Sequence, residues 1–516
     1  MAATKTAFLS VSDKTGIVDF ASGLLQLGYR LMGSGGTLST LRQADLPATD
    51  VSELTGFPDV CAGRLRLIHP KLFAAITADR GAPDQMRDLE REGIAPIDLV
   101  AVNLYPLSQV LEARDMEARE VLDFIDVSAS ALLRAAARNH PHVITLCDPR
   151  DYPSVLEALR QGEGLSAQRA RSLAAKAFYA ISYYDSTIAQ YLRPAIERLP
   201  DEMILGLKKV SDLRYGENPH QSAALYSRSG ARPWGLCAAT VLHGKAFSYN
   251  HYLSMDRAAE LVAEFGLPAC AIFQHANPSG AACAERLADA VRLAYKADPA
   301  GGLGGVAALN RKLDPETARV LEPEPLECVL APDFSEEALQ LLREKRGVRL
   351  VQVPSLLLSP NETDIKAISG GVLLQDKDDP NEALTLKAVT RRAPTGPEAA
   401  ALDFAWRVCK HATTYAAVLA RGTRTLGIAA GQVTVMDALR LAIVKSQERH
   451  PVVSPDLPMV VASDGPLSPS HVVELAESGV TAIAQPGGSR EDAEALQEAD
   501  GLSMAMAYTG QRHYRH

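Results

Sequence analysis

Apolar and polar residues along roughly the first 190 positions follow two different patterns. Short apolar runs predict strands at residues 6–11, 29–32, 97–104 and 142–147. After the first run, apolar residues between positions 17 and 25 recur at the spacing of one helix face. This β-α-β order predicts a mainly parallel sheet, and such sheets bind ligands at the carboxyl ends of their strands.

A polar break at residues 193–202 separates this region from the rest of the chain. Two prolines and five charged residues interrupt the apolar pattern there. The chain has 516 residues, which is too long for one ordinary core. We therefore predict an N-terminal domain at residues 1–197 and a C-terminal domain at residues 198–516.

The C-terminal domain again has the pattern of an α/β fold. Its predicted strands are 269–273, 326–330 and 480–483, with a hairpin that joins 415–420 to 425–429. Residues 274–280 contain a proline and a glycine, so we expect a loop there before a helix at about 284–295. About 300 residues are enough for two similar subdomains, although the sequence shows no clear repeat.

Composition and charge narrow the classes of protein. Apolar residues make up 47% and charged residues 22%, as in ordinary globular proteins, and the net charge of −9 argues against a nucleic-acid partner. Residues 1–12 lack the pattern of a signal peptide and no run of 18 apolar residues occurs, so we expect a cytoplasmic protein without a membrane partner. The seven cysteines form no CxxC pair and are expected to be reduced thiols.

The first candidate site is the segment 34–37 (Ser-Gly-Gly-Thr), which follows the second predicted strand. Glycines let the backbone approach a phosphate, and the start of the next helix offers N–H donors and a favourable dipole. Ser12 and Lys14, after the first strand, could add a hydroxyl group and a positive charge. A plain glycine turn capped by a threonine explains the same residues about equally well.

Three further segments carry candidate chemistry. Residues 63–71 are rich in basic side chains and could bind an anionic nucleotide. Residues 214–221 place a cation, an aromatic ring, an amide and an imidazole on one loop. His275 could act as a base near neutral pH. The alternatives are a solvated loop, a surface turn and a structural histidine. The chain lacks the HxE and PCxxC signature of zinc deaminases, and we predict no metal site.

Short motifs occur in a fixed order along nearly the whole chain. They include SVSDKTG (10–16), SGGT (34–37), VSELTGFP (51–58), NLYP (103–106), RYGENPHQ (214–221), HANP (275–278), SGGVLLQ (369–375), QPGGS (485–489) and RHYRH (512–516). In this order they resemble the bifunctional aminoimidazole carboxamide ribonucleotide (AICAR) formyltransferase/IMP cyclohydrolase family. So many ordered matches over both predicted domains are not expected by chance.

The resemblance implies the fold and the activity. The fold would be α/β: an N-terminal methylglyoxal-synthase-like parallel-sheet domain as the cyclohydrolase, then a duplicated cytidine-deaminase-like α/β domain, without zinc, as the transformylase. The reactions would be formyl transfer from 10-formyltetrahydrofolate to the amine of AICAR, then dehydrative ring closure of the formamide to IMP. A homodimer is also implied, with transformylase sites formed between subunits.

Residues at matching positions are the site residues that the resemblance implies. The catalytic positions are His275 and Gln274 for formyl transfer, and Arg66, Tyr105, Asp126 and Arg138 for ring closure. The substrate-binding positions are Ser12, Lys14, Ser34, Gly36, Thr37, Arg64, Asn103, Arg214, Tyr215, Asn218, His220, Asn277, Gln432 and Arg512.

Several of these positions depart from the family pattern. Arg66, Arg138 and Gln274 each replace a lysine, and Tyr415 and Val435 replace an asparagine and an arginine. Arginine keeps the charge but scarcely deprotonates, whereas glutamine supplies no cation. Three interpretations stay open: the two-step purine enzyme, a paralogue that formylates or cyclises an analogue such as a C-nucleoside antibiotic precursor, and a non-catalytic nucleotide- or folate-binding relative.

Overall fold

The computed structural model describes residues 5–58, 60–61, 64–107, 110–111, 118–162, 164–193, 199–229, 234–356, 363–378, 384–450 and 457–516. The chain divides into a first unit, Met1–Lys208 with Ser227–Arg232, and a second unit, Lys209–Tyr226 with Pro233–His516. The boundary predicted at 197/198 falls outside the described residues and stays a prediction.

The first unit contains a parallel sheet whose strand order reverses at its centre. Its strands in the described residues are β1 (Thr6–Val11), β2 (Arg30–Gly33), β3 (Ala48–Asp50), β4 (Leu99–Asn103) and β5 (Ile144–Leu146). They pair in the order β3-β2-β1-β4-β5, and every pair is parallel. The four predicted strands are confirmed. Strand β3 was not predicted, because its sequence Ala-Thr-Asp gives no apolar run.

Helices pack against this sheet, with β1 at the centre of the core. The described helices are α1 (Ile17–Gln26), α2 (Gly35–Gln43), α3 (Val51–Thr55), α4 (Pro70–Thr77), α5 (Pro83–Arg91), α6 (Ala118–Leu122), α7 (Ser128–Arg138), α8 (Tyr152–Arg160) and α9 (Ala167–Leu192). Ala7 and Leu9 of β1 pack in the cluster that includes Ile17 of α1. Phe8, between them, packs in the cluster that includes Leu133 of α7. Because successive side chains of a strand point to opposite faces, β1 is buried on both sides.

The second unit contains a long mixed sheet between two layers of helix. Its described strands are β8 (Thr240–His243), β9 (Ala269–Gln274), β10 (Asn277–Cys283), β11 (Val306–Leu309), β12 (Cys328–Ala331), β13 (Arg349–Gln352), β16 (Lys387–Ala388), β17 (Ala417–Arg421), β18 (Arg424–Ala429), β19 (Met459–Ser463), β20 (Val480–Gln485) and β21 (Ala505–Tyr508). Two separate ribbons pair β6 (Leu207–Asp212) with β7 (Ala224–Arg228), and β14 (Thr363–Ile368) with β15 (Gly371–Asp376). Its described helices are α10 (Tyr249–Ala263), α11 (Leu287–Ala297), α12 (Pro315–Leu321), α13 (Glu336–Arg343), α14 (Gly396–Lys410), α15 (Val435–Arg449), α16 (Pro469–Glu477) and α17 (Asp492–Gly501).

The order of these strands shows an internal duplication. One half of the sheet runs β10-β9-β11-β12-β13-β8, and the other half runs β18-β17-β19-β20-β21-β16. The halves join through the antiparallel contact between β10 and β18. Helices also enter in the same order, since α10 and α14 each precede a hairpin, and α11 and α15 each follow one. The predicted duplicated α/β fold class is thereby confirmed.

Equivalent glycines mark the two copies. A Cβ at Gly280 in β10 would lie 2.1 Å from the carbonyl oxygen of Ala294 in α11, and a Cβ at Gly427 in β18 would lie 2.2 Å from that of Ala442 in α15. Carbon cannot approach backbone oxygen so closely, so each hairpin needs a glycine where its following helix crosses.

The loop predicted at 274–280 is wrong over its second half. Residues Asn277–Cys283 form β10, which pairs with β9 and has an irregularity between Pro278 and Gly280. Proline and glycine are tolerated at β-bulges and where a helix packs closely on a strand. Pro278 and Gly280 therefore mark a bulged strand and not a loop. No helix among the described residues is both long and apolar enough to span a lipid bilayer.

We expect Gly280→Ala and Gly427→Ala each to lower the free energy of unfolding by about 1–3 kcal/mol, because the added methyl group is forced against backbone oxygen. Thermal melting of the full chain would measure the effect. Gly266→Ala is the matched control, since a Cβ there meets no atom within 4 Å. Equal melting temperatures for all three variants would contradict the close crossing.

Candidate functional site

The carboxyl edge of the first sheet brings together several predicted residues. β1 and β4 are adjacent at the point where the strand order reverses, which is where open α/β sheets bind ligands. The side chain of Asn103, at the end of β4, spans the turn after β1. Its Oδ1 accepts from the backbone N–H of Ser12 at 2.6 Å and of Asp13 at 2.9 Å, and its Nδ2 donates to the Asp13 carbonyl at 3.0 Å. Asn103 therefore fixes the turn that carries Lys14.

Segment 34–37 begins α2 at the same edge. Thr37 Oγ1 accepts from Val11 N at 2.8 Å and donates to Val11 O at 3.1 Å, and Ser34 Oγ lies 2.9 Å from Ser10 Oγ. Both side chains are buried. The structure thus uses the hydroxyl groups of Ser34 and Thr37 to join α2 to β1.

Two cations reach those glycines. A Cβ on Gly35 would lie 2.6 Å from a guanidinium nitrogen of Arg66, and one on Gly36 would lie 3.6 Å from Nζ of Lys14. Gly35 has a φ of +49°, a left-handed conformation that favours glycine. Positive side chains beside the N-terminus of a helix of nine residues are the kind of surroundings that favour an anion such as a phosphate.

Tyr105 and Asp126 lie on the chain that leaves β4. The ring of Tyr105 is partly exposed and stacks on Phe124 with ring centroids 5.6 Å apart. Oδ1 of Asp126 accepts from Ala129 N at 2.8 Å and so caps the start of α7. Arg64 pairs with Asp123 of the same segment at 2.5 Å, with both side chains exposed. Gly63, the first residue of the predicted basic stretch, lies outside the described residues.

Arg138 lies away from this group. It is the last residue of α7, about 15 Å along the helix from Ser128. Helix α7 leads back to the start of β5, at the amino edge of the sheet, where Ile144 N donates to Asp98 O. Within the first unit, the structure therefore places Arg138 at the opposite end of α7 from Asp126.

In the second unit, His275 sits at the turn of the β9–β10 hairpin. His275 and Ala276 have φ values of +51° and +59°, the left-handed pair of a type I′ turn that glycine and asparagine normally supply. Ala276 N donates to Ser254 Oγ at 3.1 Å, and Asn277 Oδ1 accepts from Thr413 N at 2.9 Å. These bonds hold a strained turn with the His275 side chain exposed, and such strain is found at functional positions.

Glu327 and His251 were missed by the sequence reasoning. Gln274 Nε2 donates to Leu303 O at 3.0 Å. A Cβ added to Gly304 would lie 3.7 Å from this nitrogen and 3.8 Å from Glu327 Oε1, so both side chains approach the same glycine. Glu327 Oε2 is 3.1 Å from His251 Nε2, and burial lowers the pKa of His251. No local motif indicates either residue, because they are 76 positions apart and meet only where helix α10 packs beside strand β12.

The loop 214–221 folds on itself. Asn218 N and Nδ2 donate to Gln221 Oε1 at 2.9 and 3.2 Å, and Gly216 N donates to Gln221 O at 2.8 Å. The Arg214 guanidinium lies 5.5 Å from the centre of the Tyr215 ring. The predicted cation and aromatic ring are therefore together, whereas the amide of Asn218 is used within the turn. His220 is exposed beside them.

Gln432 contacts Tyr415, and Arg512 lies beside Tyr514, which packs on Tyr415. The backbones of Tyr415 and Gln432 exchange two hydrogen bonds of 3.0 and 3.1 Å, and Gln432 Nε2 donates to Ala430 O at 2.9 Å. The Tyr514 ring packs edge-on against Tyr415 at 5.6 Å, and the Arg512 guanidinium lies 5.9 Å from the centre of the Tyr514 ring. Burial and the hydrogen bond with Tyr415 raise the pKa of Tyr514 to about 12.

The last residues are anchored by alternate side chains. Arg515 pairs with the buried Glu260 and lies 3.0 Å from His411 Nδ1, and His513 Nδ1 lies 2.7 Å from Asp378 Oδ2. Since residues 513 and 515 hold the segment, Arg512 is held at the surface beside Tyr514. Within the part of the chain that the structure describes, no group of three His, Cys, Asp or Glu side chains could hold a metal ion.

Two family models and several full-length relatives match this chain. A family model described as the AICARFT/IMPCHase bienzyme matches residues 136–445, and one for the MGS-like domain matches residues 16–130. The bifunctional purine biosynthesis protein PurH of Chloroflexus aurantiacus is 44% identical over 516 residues, which cover 99% of this chain and 98% of that protein. PurH of Anoxybacillus flavithermus is 39% identical over 99% of this chain and 100% of that protein.

A crystal structure of ForH is 35% identical, but the match covers 36% of this chain and 98% of that chain at a TM-score of 0.32, which does not establish a shared overall arrangement. The full-length identity to the PurH proteins and the two family models decide the assignment. The chain belongs to the AICARFT/IMPCHase bienzyme family, the formyltransferase and IMP cyclohydrolase enzymes of purine biosynthesis.

Proposed function

We propose that the first unit closes the purine ring at the carboxyl edge of its sheet and that the second unit transfers the formyl group at the His275 turn. The observation that carries this proposal is the meeting of Lys14 and Arg66 at the first glycines of α2, a site suited to the phosphate of a ribotide. The family implies a folate-derived formyl donor, and we assign that role to 10-formyltetrahydrofolate.

In ring closure the carboxamide nitrogen attacks the carbon of the new formamide, and water then leaves. Both groups belong to one molecule, so holding them in line supplies much of the rate. The Arg66 guanidinium stays charged and can stabilise the developing oxyanion, but it does not exchange protons near neutral pH. Tyr105 and Asp126, which lie on one segment, are the groups we assign to proton movement.

In formyl transfer the ribotide amine attacks the formyl carbon of the donor and loses a proton. The bond from that carbon to N10 of the folate then breaks, and tetrahydrofolate leaves after its N10 takes up a proton. His275 is exposed at its turn and is the base in this proposal. Gln274 next to it is neutral, so its amide can orient the formyl oxygen through a hydrogen bond but adds no charge. The two reactions thus use separate sites, with the His275 turn in one unit and the α2 glycines in the other.

A homodimer is supported by the ribbon of β14 and β15. Val372 and Leu373 are adjacent in β15, so they point to opposite faces, and they are 57% and 58% exposed. A two-stranded ribbon is marginally stable alone in water, and apolar side chains on both of its faces favour burial. We propose that a second copy of the chain covers the ribbon.

The assay that tests the function is incubation with AICAR and 10-formyltetrahydrofolate, followed by detection of IMP by mass. We expect His275→Asn to lower formyl transfer by about 10²–10⁴-fold, because the base is lost, and to leave closure of the formylated ribotide unchanged. His243→Asn in β8 is the control. Normal formyl transfer by His275→Asn would remove His275 from the reaction.

We expect Lys14→Met to raise the KM for the formylated ribotide in ring closure by about ten- to a hundredfold, because a charge-assisted contact with the phosphate is lost. Added salt should weaken binding to the unaltered chain more than to the variant. Lys5→Met, before β1 at the amino edge, is the control. An unchanged KM would place the phosphate elsewhere.

We expect the double variant Val372→Asp, Leu373→Asp to sediment as a monomer, because charge on the ribbon opposes its burial. Formyl transfer should fall while ring closure persists. Leu502→Asp, at a residue that is 42% exposed in the same unit, controls for added surface charge. A dimer in the double variant would show that the ribbon is not at the interface.

A further inference from the structure

Tyr184, on α9, links two of the residues assigned to ring closure. Its side chain is buried, and its hydroxyl oxygen accepts from the backbone N–H of Asp126 at 2.7 Å. The same hydroxyl donates to the carbonyl oxygen of Phe124 at 3.3 Å. One hydroxyl group thus binds both sides of Ile125.

The segment that Tyr184 holds touches three of the predicted site residues. Phe124 stacks on Tyr105, Asp123 pairs with Arg64, and Asp126 caps α7 with Oδ1. The backbone bonds of residues 123–125 to residues 120–122 are local turns, so they do not tie the segment to the rest of the unit. The hydroxyl of Tyr184 joins it to a helix of 26 residues that packs on α7.

We infer that Tyr184 is a positioning residue for ring closure, and this inference rests on the proposed roles of Tyr105 and Asp126. A hydroxyl group that both accepts and donates fixes the direction of two peptide groups, which a purely apolar contact does not. Fixing Asp126 N also sets where the carboxylate points, and fixing Phe124 sets the plane against which Tyr105 stacks. Burial raises the pKa of Tyr184, which keeps the hydroxyl protonated in these bonds.

The ring of Tyr184 has a separate, structural role. It packs with Leu107 and Val121, which are buried in a small cluster of their own. Tyr184→Phe keeps this packing and removes only the hydroxyl group, so it separates positioning from core stability. Tyr179→Phe, on the same helix with a side chain 76% exposed, is the matched control.

We expect Tyr184→Phe in the full chain to lower kcat for closure of the formylated ribotide by about ten- to a hundredfold, because a misplacement on the order of 1 Å has that effect on aligned groups. The KM should change less than about twofold, because the phosphate site at α2 does not use Tyr184. Formyl transfer by the same preparation should be unchanged and reports that the chain is folded. Hydrogen exchange at the Asp126 amide should become faster.

Testing Tyr184→Phe in the Asp126→Asn variant distinguishes positioning of Asp126 from a general loss of stability. Asp126→Asn retains a side-chain oxygen for the cap of α7 but loses the carboxylate. If Tyr184 acts through Asp126, Tyr184→Phe should have little further effect on the residual rate of Asp126→Asn, since the two changes act as one unit. An equal loss in both backgrounds, or a joint fall of both activities with the melting temperature, would overturn the inference.

The outcomes also distinguish this inference from the proposed function. An unaltered chain that does not close the ring would refute the proposed function itself. An unaltered chain that closes the ring while Tyr184→Phe keeps full kcat would refute only the role of Tyr184.

Discussion

Two positive side chains at the start of one helix are the constraint on which the first unit depends. Lys14 and Arg66 approach Gly36 and Gly35, where the backbone N–H groups of α2 are also positive. Like charges so placed repel one another, and a bound anion would relieve that repulsion. The surroundings resist that repulsion: Asn103 holds the turn that carries Lys14, and Thr37 ties α2 to the end of β1. This arrangement is the basis on which we propose that the phosphate of the ribotide binds here.

In the second unit, the duplicated fold stabilises an unfavourable backbone conformation. The left-handed backbone at His275 and Ala276 costs free energy of the order of 1–3 kcal/mol per residue. Ser254 of the first copy accepts a bond from the turn, and Thr413 of the second copy donates one to Asn277. Neither copy alone supplies both bonds. The contact between β10 and β18 that joins the copies therefore also holds the predicted base in place.

Those features that depend on local sequence patterns were predicted correctly from the sequence. Apolar runs located strands such as Thr6–Val11 and Val480–Gln485, and the ordered motifs identified the family. Asn277–Cys283 was misjudged, because proline and glycine signal a loop unless one knows that a helix presses on the strand. The places of Arg138 and Glu327 in the folded chain could not be predicted from the sequence either. The first is set by the direction of α7 and the second by pairing in the sheet, and neither leaves a local trace.

The neutral residue at position 274 is consistent with the charges around it. Glu327 near Gln274 already pairs with His251 at 3.1 Å and lies 3.5 Å from a nitrogen of Arg349. A lysine at 274 would join two cationic or titratable groups in competing for one carboxylate, whereas the Gln274 amide donates to Leu303 O instead. In the function we propose, proton removal is assigned to His275, and the neutral Gln274 amide contributes a directed hydrogen bond and no charge. In that proposal, the reaction at this turn depends more on the hydrogen bonds that hold the hairpin than on the charges of neighbouring side chains.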